Sequence, residues 1–236
     1  MTTSQKQKFN PISVQINSTS EPILPTNSEK LLGVTIHEDL KWVEHIMHSD
    51  KSLISQLNTR INALILCTKF APFKTRLMIG NGLFLSKLVY VMPLWSGCEQ
   101  YLLNALQIIQ NKAARAITKC DKYTPIKSLL KQCGWLSVRQ LGEYHSAVLM
   151  YKTLTYEYPK YMYGKMVSNF AYKTRGADSK FLSGPQFDWN KHLTEVSYRW
   201  KASKSWNSIP HNIRTIPKLS QFKTKLKEWI AGNIEI

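Results

Sequence analysis

Helical periodicity begins near Trp42. Ile46, Leu53, Leu57, Ile61 and Leu64 recur at three-, four- and seven-residue steps, which sets them on one helix face. Pro72 breaks that run and suits the first turn of a second helix, from Phe73 to about Val91. Gly80 and Gly82 weaken its middle and Pro93 ends it. A third helix is predicted from about Glu99 to Cys120. On it Leu102, Leu106, Ile109, Ala113, Ala116 and Ile117 share one side. Asn104, Gln107, Asn111, Lys112, Arg115 and Lys119 share the other, with Ile108 as an apolar intruder. It is the cleanest amphipathic pattern in the chain.

The flanking segments read differently. Residues 1–8 form a polar tail. Ile12, Val14 and Ile16 alternate with polar residues, as a short strand does. Asn17 to Ser28 contains Pro22 and Pro25 among small polar residues and reads as a loop. Lys30 to Ile36 is a second strand, with Gly33 marking a bulge or a close backbone approach. Two strands are marginal in water unless a larger sheet or helices support them.

Beyond residue 120, Thr124 and Pro125 look like the N-cap and first turn of a short helix that Gly134 stops. Ser137 caps another, to about Tyr156, with Val138, Leu141, Val148 and Leu149 inward. Pro159 to Gly164 is a tyrosine-rich connection, Asn169 to Trp189 a loop, and Lys191 to Trp206 ambiguous. Ser220 caps a last helix striped by Phe222, Leu226, Trp229 and Ile230. The expected fold is mainly α: a helical bundle with a small N-terminal β-hairpin and a further helical C-terminal region. It divides into residues 1–41, 42–120 and 121–236.

Composition supports a globular chain. Of 236 residues, 43% are apolar and 20% charged, enough to bury a substantial core. No apolar run reaches the ~18 residues that would span a bilayer, and no signal-peptide block opens the chain. The four cysteines, Cys67, Cys98, Cys120 and Cys133, lie far apart. They lack the close spacing of a zinc knuckle and read as reduced thiols.

Charge changes the picture more. The net charge is +17, and it is uneven. Residues 1–100 carry 10 basic and 7 acidic side chains, whereas residues 101–236 carry 22 and 8. Such a field attracts polyanions, nucleic acid first and anionic membrane surfaces second. Lys112, Arg115 and Lys119 fall at i, i+3 and i+7, about 5 Å per turn, a spacing that suits successive phosphates. Asn104, Gln107 and Asn111 continue that face and can reach sugar hydroxyls, including the 2′-OH of RNA. Arg60, Lys69, Lys74 and Arg76 form a second basic group around the first interhelical turn. Each of these residues also fits an ordinary solvated face.

Later in the chain, basic residues interleave with Tyr151, Tyr156, Tyr158, Tyr161, Tyr163, Tyr172 and Trp200. These rings can stack unpaired bases or, the favoured reading, fill a helical core. Trp206 and Trp229 read as core anchors. Glycine-rich phosphate loops and nucleophile elbows are absent from the sequence. His45 and His48, near His37 and Glu44, fit a solvated polar turn better than a metal site. His145 falls on an apolar helix side, as a core histidine does. Asp178, Asp188 and Glu195 with Lys191 loosely match a nuclease centre, on poor spacing.

Several motifs occur in a telling order. The run Lys30–Ile46 carries Leu32-Gly33-Val34, Trp42 and His45-Ile46. Leu106–Arg115, Gly134-Trp135-Leu136, Thr174-Arg175, Trp206–Arg214 and Phe222–Lys227 follow. In order and spacing, over roughly residues 10 to 230, the chain resembles the thumb and downstream region of reverse transcriptases from non-LTR (LINE-type) retrotransposons. The resemblance implies a polymerase-thumb-like bundle that holds RNA or an RNA–DNA template–primer duplex. It places Lys30 and Gly33 at a primer-contacting hairpin. The parent activity would be RNA-directed DNA synthesis on Mg held by paired aspartates. The five aspartates here are isolated, so the resemblance implies a non-catalytic fragment whose catalytic pair lies upstream of Lys30. No catalytic, metal or cofactor residue is expected on this chain. The expected partners are RNA or RNA–DNA duplex and an upstream polymerase segment, with no membrane, in the nucleus or cytoplasm. A retroelement-derived interaction protein without a nucleic-acid role and a nuclease are the alternatives.

Overall fold

The structure, a computed structural model, describes residues 26–167, 182 and 198–233. The expected strand at Ile12–Ile16 and the loop at Asn169–Trp189, Leu182 apart, lie outside the described residues.

Strands β1 (Ser28–Leu31) and β2 (Val34–His37) pair antiparallel, with Ser28 opposite His37 and Leu31 opposite Val34. Leu32 and Gly33 turn between them with φ of +49° and +84°. Positive φ at both turn residues is the geometry of a tight two-residue hairpin. Glycine adopts it freely; leucine does not. The Tyr90 hydroxyl donates to the Leu32 carbonyl at 2.9 Å and holds the turn. Lys30–Ile36 is therefore two strands folded about Gly33, not one strand with a glycine inside it.

The periodic run after Trp42 is also interrupted. Helix α1 (Val43–Ile46) is a single turn. The chain then breaks over residues 47–52, and α2 (Leu53–Cys67) starts where Ser52 Oγ accepts the Ser55 N–H at 3.4 Å. The whole predicted stripe is buried: Ile46, Leu53, Leu57, Ile61 and Leu64.

The second predicted helix is a rod in three parts. Helix α3 (Phe73–Gly80) passes through a π-helical stretch (Asn81–Leu85) into α4 (Ser86–Leu88). Arg60 donates to the Leu83 carbonyl at 2.9 Å, and Trp135 Nε1–H donates to Asn81 Oδ1 at 2.8 Å. Pro93 does not end this rod. It sits in the first turn of α5 (Met92–Trp95), where its missing N–H costs nothing.

Helix α6 (Gln100–Thr118) packs against α2, α3, α7 (Ile126–Cys133) and α8 (Val138–Tyr156). Its predicted apolar side is buried, except for half-buried Ala116. Pro125 takes the N-cap position of α7, one residue beyond the expected Thr124. Gly134 closes α7 at φ +65° as the Trp135 N–H reaches back to the Leu130 carbonyl at 2.8 Å. A capping box opens α8: Ser137 Oγ accepts the Gln140 N–H, and Gln140 Oε1 accepts the Ser137 N–H.

The tyrosine-rich connection is helical, as α9 (Lys160–Val167). Helices α10 (Tyr198–Ser208), α11 (His211–Arg214) and α12 (Leu219–Asn233) complete the described chain. Ser220 lies inside the first turn of α12 rather than at its cap. On α12, Phe222, Leu226 and Ile230 are buried and Trp229 is half-buried. The Tyr151 and Phe222 rings stack 4.2 Å apart, with Trp206 6.1 Å from Phe222. Full burial of a ring such as Phe222 contributes about 1.5–3 kcal/mol. The mainly helical fold with its N-terminal hairpin is as expected, and buried residues from both sides of residue 120 form one contiguous core.

Candidate nucleic-acid interface

Cations outnumber the carboxylates available to neutralise them. Lys41, Arg139 and Lys225 stand within 4.0 Å of a carboxylate. Lys30, Lys69, Lys74, Lys112, Lys119, Lys122, Lys127 and Lys131 are exposed and stand outside those pairs.

The row predicted along α6 does not form one wet stripe. Lys112 is exposed. Arg115 is half-buried; its Nη2 donates to the Lys122 carbonyl at 3.3 Å, and its Nε is buried without a partner. Lys119 lies past the helix end in a left-handed cap, and its Nζ donates to the Lys69 carbonyl at 2.6 Å. Gln107 is half-buried and hydrogen-bonded at both ends of its amide. Its Oε1 accepts the Val138 N–H at 2.8 Å, and its Nε2 donates to Gln110 and Asn111 at 2.9 and 2.8 Å. Gln110, fully buried, donates to the Leu136 carbonyl at 2.9 Å. Gln107 and Gln110 thus satisfy backbone groups at the start of α8, and half-buried Asn111 accepts from Gln107. Asn104 is exposed and accepts from Gln100 at 2.9 Å.

The second basic group splits in the same way. Lys69 and Lys74 are exposed, whereas Arg60 is half-buried against the Leu83 carbonyl. Arg76 is buried, at 8% exposed. Its Nε donates to the Ile117 carbonyl at 2.5 Å and its Nη1 to the Ala71 carbonyl at 2.6 Å. A guanidinium so placed satisfies one carbonyl at the α6 C-terminus, which attracts cations, and one in the link before α3, and both bonds occupy it inside the fold. On the hairpin, Lys30 is exposed beside Gly33 at the turn.

Lys69 and Lys122 lie at one end of the bundle, in the turns that follow α2 and α6. Lys119 ties the turn after α6 to the turn after α2, Arg76 bridges the Ile117 and Ala71 carbonyls, and Arg115 ties the turn after α6 to its own helix. Ile65, Thr68, Lys69, Arg115, Ala116 and Lys119 line a cleft of about 330 Å³ between the two turns. Each turn carries a lysine followed by an exposed ring. Lys69 Nζ lies 5.4 Å from the Phe70 centroid, and Lys122 Nζ lies 4.9 Å from that of Tyr123. Phe70 is 91% and Tyr123 79% exposed. Sequence reading passed over both rings. The signal was a Lys-aromatic dipeptide repeated at two helix-ending turns.

Of the interleaved aromatics downstream, Tyr151 is core, whereas Tyr156, Tyr158 and Tyr161 are exposed. Tyr172 and the Trp200 side chain lie outside the described residues.

His37, His45 and His145 make contacts within the fold. His45 is 6% exposed, and its Nδ1 accepts the Thr35 N–H at 3.3 Å. Burial, with Lys87 and Lys30 nearby, lowers its pKa to about 4. His37 Nδ1 accepts the Asp39 N–H at 3.1 Å, and its Nε2 stands 3.9 Å from Glu44. His145 is half-buried edge-on to Tyr144, and burial with Lys223 lowers its pKa. Among the described residues no three of His, Cys, Asp and Glu gather as metal ligands. The Asp178, Asp188, Lys191 and Glu195 set lies outside them. A cleft between α5, α8 and α10 holds Arg139, Glu143 and Lys201, but the Lys201 ammonium is committed to the Gly97 carbonyl. No helix among the described residues is long and apolar enough to cross a membrane.

Against protein-family models, curated proteins and solved structures alike, the chain returns no match.

Proposed function

We propose that this chain binds RNA or an RNA–DNA duplex by its backbone, without reading sequence, as the thumb and downstream region of a non-LTR retrotransposon reverse transcriptase would. The observation that carries the proposal is the set of exposed ammonium groups without carboxylate partners: Lys69, Lys74, Lys112, Lys122, Lys127 and Lys131. Each can displace a condensed counterion from a phosphate, so affinity comes from ion release. The motif order Lys30–Ile46, Leu106–Arg115 and Trp206–Arg214 supplies the polymerase context. In that context the chain grips template and primer, and aspartates on another polypeptide segment hold the Mg and carry out polymerisation.

Fluorescence anisotropy with a labelled RNA–DNA duplex over a salt series tests this. The logarithm of the association constant should fall linearly with the logarithm of salt. Lys112→Ala and Lys122→Ala should each reduce the slope by about one. A chain that binds no duplex at low salt overturns the proposal.

A further inference from the structure

Backbone grip uses cations alone, yet the end of the bundle also exposes two rings. An apolar ring 91% exposed, as Phe70 is, loses contact free energy that burial would gain. Phe70 and Tyr123 do not protrude at random. Each follows a lysine whose ammonium lies about one ring-stacking distance away, at 5.4 and 4.9 Å from the centroids. The two turns that bear them are fastened to α6 by Lys119 Nζ to the Lys69 carbonyl and Arg115 Nη2 to the Lys122 carbonyl. The acidic side chain on these turns is Asp121, which accepts from the Lys122 N–H at 2.6 Å. Rings beside fixed cations match a nucleotide: a flat apolar base and, one bond system away, a phosphate. A duplex hides its base faces in the stack, so these rings suit bases that are unpaired.

We infer that Phe70 and Tyr123 are stacking platforms for unpaired bases of a single-stranded segment, whose phosphates meet Lys69 and Lys122. The inference rests on the nucleic-acid reading above and assigns single-stranded nucleic acid to this end of the bundle. One base stacks on each ring. The lysine holds the near phosphate, and no base edge is read, so binding tolerates sequence.

The full chain is titrated at low salt with three labelled ligands. They are a single-stranded oligonucleotide of about 12 nucleotides, the same backbone with abasic sites, and a blunt RNA–DNA duplex. Wild type should bind the base-bearing strand at least about tenfold tighter than the abasic one. Phe70→Leu with Tyr123→Leu keeps the charge and an apolar side chain at two exposed positions. This double variant should erase the preference while blunt-duplex affinity stays within about twofold. Phe70→Trp should keep the preference. Equal wild-type affinity for the base-bearing and abasic strands, with the duplex still bound, overturns the stacking inference and leaves the backbone grip standing. Absence of all nucleic-acid binding overturns both. Binding to phosphatidylserine vesicles that the double variant abolishes, with oligonucleotide affinity unmoved, overturns it in favour of a membrane surface.

Discussion

Arg76 separates a structural cation from a phosphate contact. Replacing it with Met keeps most of the stem volume and removes the guanidinium. Two charge-assisted hydrogen bonds vanish, to the Ile117 carbonyl at 2.5 Å and the Ala71 carbonyl at 2.6 Å. Bonds of this kind contribute about 1.5–3 kcal/mol each. The Ile117 carbonyl lies in the last turn of α6, where helical N–H partners run out, and Ile117 itself is buried. Allowing for partial rehydration, the variant should lose about 3–5 kcal/mol, a large part of the ~5–15 kcal/mol that holds a domain together. In urea titrations followed by circular dichroism, the midpoint should fall by roughly 1.5 M. Arg76→Lys should recover only part of the loss, because an ammonium cannot match the fork that serves both carbonyls. Lys74→Met, two residues away and exposed, is the reference and should leave the midpoint almost unmoved. If Arg76→Met denatures no more readily than Lys74→Met yet loses RNA affinity, the structural role assigned to the guanidinium is refuted.

Other perturbations follow from the same packing. His45 has its pKa lowered to about 4, so between about 4 and 6.5 the unfolded chain binds more protons than the folded one. Stability should be level above about pH 6.5 and fall by up to about 3 kcal/mol as pH drops to 4; His45→Gln should flatten melts across that window, apart from the contribution of His145. A methyl group at Gly142 would stand 2.7 Å from Ser96 Cβ, so Gly142→Ala should cost about 1–3 kcal/mol in chemical denaturation. Ser96→Gly in the same chain should return much of that loss. Ser137→Ala removes the cap of α8 and should lower stability by about 1 kcal/mol without touching the salt slope of RNA binding.

Legibility followed the physics of each signal. Apolar periodicity located α2, α6, α8 and α12, because a buried stripe is set by the 3.6-residue repeat whatever the partner helix. Turn chemistry was harder to read. Lys30–Ile36 is the same apolar, β-branched run whether it runs straight or folds at Gly33, and only the pairing of Leu31 with Val34 decides. Residues 47–52 break the helix after Ile46 although Ile46 and Leu53 keep the seven-residue step. The rod after Pro72 absorbed Gly80 and Gly82 by widening into a π-turn rather than ending. Gly80 lets the Ile117 side chain approach closer than a Cβ would permit.

The candidate interface was less legible, because a helix that meets four neighbours has no single wet face. The polar side of α6 contained two chemistries that periodicity cannot tell apart. Amides both donate and accept, so Gln107 and Gln110 can be buried against backbone groups, and the α8 N-terminus consumes them. Cations only donate, so they are retained at helix ends, where carbonyls are in surplus. Arg76 goes there, while Arg115 and Lys119 donate to carbonyls of the turns that follow α6 and α2. A row of cations near a helix C-terminus is therefore ambiguous between capping and phosphate contact until the carbonyls are counted. Lys69 and Lys122 escape the ambiguity. Their carbonyls accept bonds from Lys119 and Arg115, which fixes the backbone, while their own ammonium groups rest beside Phe70 and Tyr123 in solvent. The cations committed to structure thus hold in place the ones left for a ligand. Arg115→Ala should accordingly weaken single-strand binding by loosening the Lys122–Tyr123 turn, and raised salt should diminish the wild-type affinity while leaving this loss unrepaired. Equal sensitivity of both turns to proteolysis before and after the substitution would count against that coupling.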